Sequence, residues 1–203
     1  MVLEQNQQML KQLKDARQEE MSSIRNDGAI DQCAEFFLIL NGFASTPLEI
    51  TERRSDFTIF GKRCHSKADM VVIVSSNNDL VLVCEDKSVK EGAKPVAEQG
   101  HLGQIMGELL QILAENRARV PPTFRSVFAV RFVNYYVTAF RVDPDRRTLN
   151  TLCDTRNLPA KKLRLLSNVA DPKTNFGLSL IDADERKQVV QLMANIRGFI
   201  VKK

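Results

Sequence analysis

The chain has 203 residues, 43% of them apolar and 27% charged, with a net charge of +4, proportions that suit one globular core and exclude a disordered or fibrous class. No stretch of about eighteen apolar residues occurs, which excludes a membrane-spanning helix on length. The N-terminal MVLEQNQQMLKQLKDARQEE is too polar for a signal peptide, and Cys33, Cys64, Cys84 and Cys153 stand without a CxxC pair, so an intracellular protein, cytoplasmic or nuclear, with reduced thiols is expected.

Residues 1–26 read as a polar N-terminal arm, with Met9, Leu10 and Leu13 sparse among Gln, Lys and Glu, as on a surface helix of low burial. Residues 27–203 are expected to form a single domain. Ile30, Cys33, Ala34, Phe37, Leu38 and Leu40 fall at helical spacing, and Gly42 is placed as a stop. Strands are predicted around Phe57–Phe60, Met70–Val74 and Leu80–Cys84, where β-branched and aromatic residues are bounded by polar turns. Between Val96 and Glu115, Leu102, Ile105, Met106, Leu109, Leu110, Ile112 and Leu113 form an apolar helical stripe, with His101, Gln104, Glu108 and Gln111 opposite. Pro121-Pro122 ends that region, Val127–Phe132 and Tyr136–Val142 read as strands, and Leu149–Cys153 is expected to add another. Asp182 caps a last helix running to about Ile200. The order predicts an α/β (α+β) fold, a mixed central sheet flanked by helices.

The segment SKADMVVIVSSNNDLVLVCEDKS places two apolar strands around a turn-forming Ser75-Ser76-Asn77-Asn78-Asp79. Centring the turn on Asn77 opposes Val74 with Leu80, Met70 with Cys84 and Asp69 with Glu85. Two carboxylates then meet at the open end of a hairpin, and Lys87 joins their face while the strand continues. Opposed like charges destabilise a sheet. A Mg²⁺ ion would offset the repulsion, because it takes carboxylate oxygens and keeps water and substrate phosphate as its other ligands. The plainer reading makes Asp69 and Glu85 hydrophilic strand ends, with Glu85 and Lys87 a surface ion pair.

These residues resemble the PD-(D/E)XK nuclease superfamily, in which an acidic residue at a strand start and a (D/E)xK on the neighbouring strand build the active site. Here they are Asp69 and Glu85-Asp86-Lys87, with alanine at position 68 in place of the proline that names the motif. The resemblance implies a restriction-endonuclease-like core and a Mg²⁺- or Mn²⁺-dependent endonuclease. Asp69, Glu85 and Asp86 would lie on the metal side, and Lys87 beside the attacking water. It also implies an acidic residue from the helix before the sheet and a polar residue from the helix after it, for which Glu35 and Gln104 stand in place. Over roughly residues 27–150 the chain also resembles the nuclease-type domains of Crinkler effectors. His101, beside these residues, reads more readily as a surface histidine than as a ligand.

Basic pairs occur at Arg53-Arg54, Lys62-Arg63, Arg146-Arg147 and Lys161-Lys162, followed by Arg164. Such pairs either hold phosphates or are solvated loop charges. Arg53, Arg54, Lys62, Arg63 and Lys67 are the candidates for gripping nucleic acid, DNA ahead of RNA. Two other classes remain open: an inactive nucleic-acid-binding module of the same fold, and a protein-interaction scaffold or homodimer using the N-terminal helix as its arm.

Overall fold

The computed structural model describes residues 27–87, 99–154, 163–169 and 177–202. The expected N-terminal arm lies outside these residues, as do positions 96–98 at the start of the expected middle helix. Helix α1 (Asp27–Leu40) forms where its spacing requires, with Cys33, Ala34, Phe37 and Leu38 buried. It stops because Gly42 adopts φ +80°, a left-handed turn that glycine enters without steric cost.

Strands β1 (Leu48–Ile59) and β2 (Lys62–Val74) form a long antiparallel hairpin, and β3 (Asp79–Lys87) pairs antiparallel with β2. β1 therefore extends well beyond the expected Phe57–Phe60 segment, and Arg54, Lys62, Arg63 and Lys67 stand on strands instead of loops. Polar side chains hid these strands, whereas backbone pairing with a neighbour is indifferent to side chains that point to water. Ile73 pairs with Leu80 and Val72 with Leu82, leaving Val81 as an extra residue on β3. This bulge corrects one expected rung, since Val74 faces Asp79 and not Leu80. Met70 faces Cys84 as the turn position requires.

Helix α2 (Gln99–Ala118) crosses over to β4 (Val127–Val133), which lies parallel to β3, and β5 (Tyr136–Val142) returns antiparallel. A helix, α3 (Arg146–Asp154), replaces the strand expected over Leu149–Cys153. Its start is fixed by Asp145 Oδ1, which accepts from the Thr148 amide at 2.9 Å, and its buried residues Thr148, Leu149 and Leu152 recur at helical spacing. Two short strands that sequence did not reveal, β6 (Leu165–Ser167) and β7 (Leu178–Ser179), pair with β5. Helix α4 (Ala183–Val201) begins at the expected cap, Asp182, whose side chain accepts from the Asp184 and Glu185 amides, both at 2.9 Å.

The fold is mixed α/β: a seven-stranded sheet ordered β1-β2-β3-β4-β5-β6, with β7 also on β5, and four described helices packed around it. On one face Phe37 and Leu38 of α1 and Val189, Met193 and Ile196 of α4 cover Val72, Cys84, Val130 and Phe132. On the other, Ile105, Leu109 and Ile112 of α2 and Leu149 of α3 cover Val71, Val83, Ala129 and Phe140. Cover on both faces is why β3 and β4 read as nearly unbroken apolar runs. All four cysteines are free, Cys33 and Cys84 in the core. No described helix is long and apolar enough to cross a membrane.

Candidate functional site

The α2 face of the sheet carries, at the C-terminal end of β3, a cluster of charged groups that its apolar surroundings do not predict. Glu85 is 0% exposed. It follows Val83 on the face covered by α2, and in the parallel β3–β4 register it stands beside Arg131, itself 2% exposed. Partners in that register lie on neighbouring strands about 4.8 Å apart. The Arg131 guanidinium also lies 5.6 Å from the Phe140 ring centre, and its terminal nitrogen donates to Thr138 Oγ1 at 3.3 Å.

From above the sheet, α2 lowers Gln104 and Glu108 onto this pair. Gln104 Nε2 donates to Glu85 Oε1 at 2.6 Å and to Glu108 Oε1 at 3.0 Å, so one amide bridges two carboxyl groups. The four-residue spacing of Gln104 and Glu108 puts both on one helical stripe. Glu108 is buried, and its carboxyl is pushed up to about 9, first by burial, then by repulsion from Glu85 and, more weakly, from Asp69. Burial and this repulsion favour its neutral form, and it shares a hydrogen bond with Glu85. Asp69 is half-buried on β2, one position beyond the last paired rung, Met70–Cys84. The hairpin thus brings Asp69 and Glu85 to the same open end, although the paired ladder stops one step short of them.

Asp86 and Lys87 pair with Phe132 and Val133 along β4, and their side chains, like those of His101 and Arg53, lie outside the described residues. Glu35 does not join the cluster. It is exposed on α1, which covers the opposite face of the sheet, so the expectation from the helix before the sheet is corrected by the layer order. Arg54, Lys62, Arg63 and Lys67 are exposed on the β1–β2 hairpin, and none has a described hydrogen bond or ion pair with the acidic cluster.

Sequence reading missed the part played by Arg131 and the burial of Glu108. The signal for Arg131 was present: a lone charge inside VFAVRFV can be buried only with compensation, which makes it a marker of a polar site within a core strand. Glu108 was visible only as a helical neighbour of Gln104.

The donor set is made of carboxylate oxygens and one amide, which suits a hard divalent cation and neither a soft metal nor a thiolate chemistry. Among the described residues no three Asp, Glu, His or Cys side chains converge as a ready cage. A Mg²⁺ site does not require one, because that ion binds through one or two carboxylates and fills its shell with water and phosphate. Asp69 and Glu85 fit that requirement. No protein-family model matches the chain, and neither the curated proteins nor the solved structures contain a match to it.

Proposed function

We propose that this chain is a Mg²⁺- or Mn²⁺-dependent nuclease of the PD-(D/E)XK type, with a restriction-endonuclease-like core, acting on DNA or RNA. The observation that carries the reading is the placing of Asp69, Glu85 and Glu108 at one sheet end, where burial first, and then the charge of Glu85 and more weakly of Asp69, raises the Glu108 carboxyl. Acids so placed are costly to a fold and useful to a cation.

Asp69 and Glu85 would hold the ion, which when bound supplies a water of lowered pKa and neutralises charge on the phosphate. Gln104 fixes the orientation of Glu85 by its 2.6 Å hydrogen bond. Arg131 supplies positive charge beneath Glu85, limiting the cost of burying a carboxylate without occupying the open end. Lys87, two residues beyond Glu85 on the same strand, would hold or deprotonate the attacking water. No nucleophilic side chain is needed.

The test is cleavage of duplex and single-stranded DNA and RNA with Mg²⁺, Mn²⁺ or excess EDTA, alongside Mn²⁺ binding followed by electron paramagnetic resonance. Asp69→Asn and Glu85→Gln should weaken Mn²⁺ binding and abolish cutting. Lys87→Ala should keep the metal and lose turnover. Undiminished cutting in EDTA, or full activity in both acid variants, would sink the proposal.

A second reading, a nucleic-acid-binding module that does not cut, is favoured by one observation. Arg131 stands beside Glu85 in the register and Gln104 ties Glu85 to Glu108, contacts that a purely structural polar network would make. Binding in EDTA with no cutting and no bound Mn²⁺ would select it.

A further inference from the structure

Among the described residues the distal half of the β1–β2 hairpin pairs only with itself, since β3 leaves the ladder at Met70. A bulge between Thr51 and Arg53 precedes it, and its tip is anchored where the Phe60 amide donates to Leu152 O of α3 at 2.8 Å. Its two faces differ. Ala68 and Ile59 are buried and Phe57 and Cys64 half-buried on the inner side. The rungs Arg54–Lys67, Asp56–His65 and Thr58–Arg63 alternate with these residues and are exposed throughout.

Charge on this outer face is unevenly satisfied. Asp56 is the acid of the three rungs, and both its oxygens are taken: Oδ1 lies 2.8 Å from His65 Nδ1, and Oδ2 accepts from Arg63 Nε at 3.0 Å and from a terminal nitrogen of the same guanidinium. One rung away, Arg54 and Lys67 stand directly opposite each other. Like charges in that position repel, and neither has a described anionic partner. A guanidinium and an imidazole closed on one carboxylate form the donor set that would take a phosphate oxygen pair. Successive outer rungs are about 6.6–6.8 Å apart along the ribbon. Beside the ribbon, Glu115 and Asp154 line a cleft of about 550 Å³ with Asp56 and Thr58, and Arg117 holds Asp154, so an anionic ligand is bounded on that side.

We propose that the outer face of the β1–β2 ribbon docks a nucleic-acid phosphate backbone, and that Asp56 occupies a phosphate position between Arg63 and His65 until the ligand displaces it. The inference rests on nucleic acid being the substrate, and it adds a surface apart from the acidic cluster and a built-in competitor for it. Arg54 and Lys67 meet the backbone first, and Arg63 becomes available as Asp56 is released.

The experiment is fluorescence-anisotropy titration of fluorescein-labelled duplex and single-stranded DNA and RNA across a salt series in EDTA, so that cutting plays no part. Asp56→Asn should tighten binding and steepen the log–log salt slope, by about 0.9 for each further duplex phosphate that the ribbon neutralises. Arg54→Gln with Lys67→Gln should weaken binding and flatten the slope by the same measure for each phosphate left to its counterions, and Arg63→Gln should cancel the effect of Asp56→Asn. Asp69→Asn should bind as the wild type does, which separates this surface from the proposed metal site. An unchanged or weaker Asp56→Asn, or an unchanged Arg54/Lys67 double variant, would overturn the proposal even if the enzyme cuts. So would binding confined to phosphatidylserine vesicles. Correct behaviour of all these variants with no cutting in Mn²⁺ would leave the docking surface standing and reject the nuclease.

Discussion

Glu108 is where burial, and after it the charge of the neighbouring acids, becomes a measurable property of one residue. Its carboxyl moves from 4.5 to about 9 on folding. Between those values the unfolded chain has lost the proton and the folded chain keeps it, so the unfolded state binds fewer protons and stability falls as pH rises through the window. Glu108→Gln retains the shape and a donor for Glu85 but has nothing to titrate. Urea midpoints measured between about pH 5 and pH 8.5 should show the variant gaining on the wild type as pH rises, and parallel curves would mean that Glu108 ionises normally. Arg131 offers the complementary test. Removing a buried charge from beside its opposite typically costs about 3–5 kcal/mol, because the charge left behind is uncompensated. Arg131→Met should therefore be strongly destabilising. Adding Glu85→Gln should recover a large part of the loss, and simple additivity of the two changes would show that they do not interact.

At the scale of elements, the β2–β3 hairpin owes its shape to a bulge and to a side chain from α2. Val81 is the extra residue on β3, and beside it the buried Asn116 amide donates to Leu80 O at 2.7 Å while its oxygen accepts from Leu80 N at 2.9 Å. An amide side chain thus completes the backbone hydrogen bonding of the strand at the point where the ladder shifts. Asp79, next along, is held by Thr123 and Asn77, both at 2.9 Å, with Arg125 at 3.6 Å. These contacts tie the closed end of the hairpin to the far end of α2, and so set how α2 presents Gln104 and Glu108 at the open end. Asn116→Ala leaves a buried N–H and C=O without partners and should cost about 2–3 kcal/mol by urea unfolding. It should also weaken Mn²⁺ binding less than Glu85→Gln does, because it touches no proposed ligand.

For the whole molecule, the acidic cluster lies at one end of the buried α2 face and the cationic ribbon on an exposed face of the hairpin, so the chemistry proposed and the grip proposed are carried by different surfaces. Each should survive the loss of the other. Metal that binds only the folded state should raise the thermal midpoint by mass action, and Asp69→Asn should remove that rise. Neutralising Arg54 and Lys67 should leave the metal-dependent rise untouched. A shift in both variants would show that ribbon and cluster are coupled through the sheet.

Much of this protein was legible in the residue order, because its elements follow from local patterns. The helical spacing of Cys33, Ala34, Phe37 and Leu38, the Asp182 cap and the apolar runs of β3 and β4 each declare an element, and the Ser75–Asp79 turn, by setting the Met70–Cys84 rung, also placed Asp69 and Glu85 at one hairpin end. Tertiary structure alone decided what no local pattern encodes. Polar residues from Glu52 to Ser55 became strand because a partner strand was there to pair with, and 149–153 became helix because only one side of it meets the core. Glu35 went to the opposite layer from the acids, and Arg131 and Glu108 arrived beside Glu85 from elements distant in the chain. Burial and long-range register determine which charges meet. They depend on how whole layers stack, and a sequence read one element at a time carries no term for that.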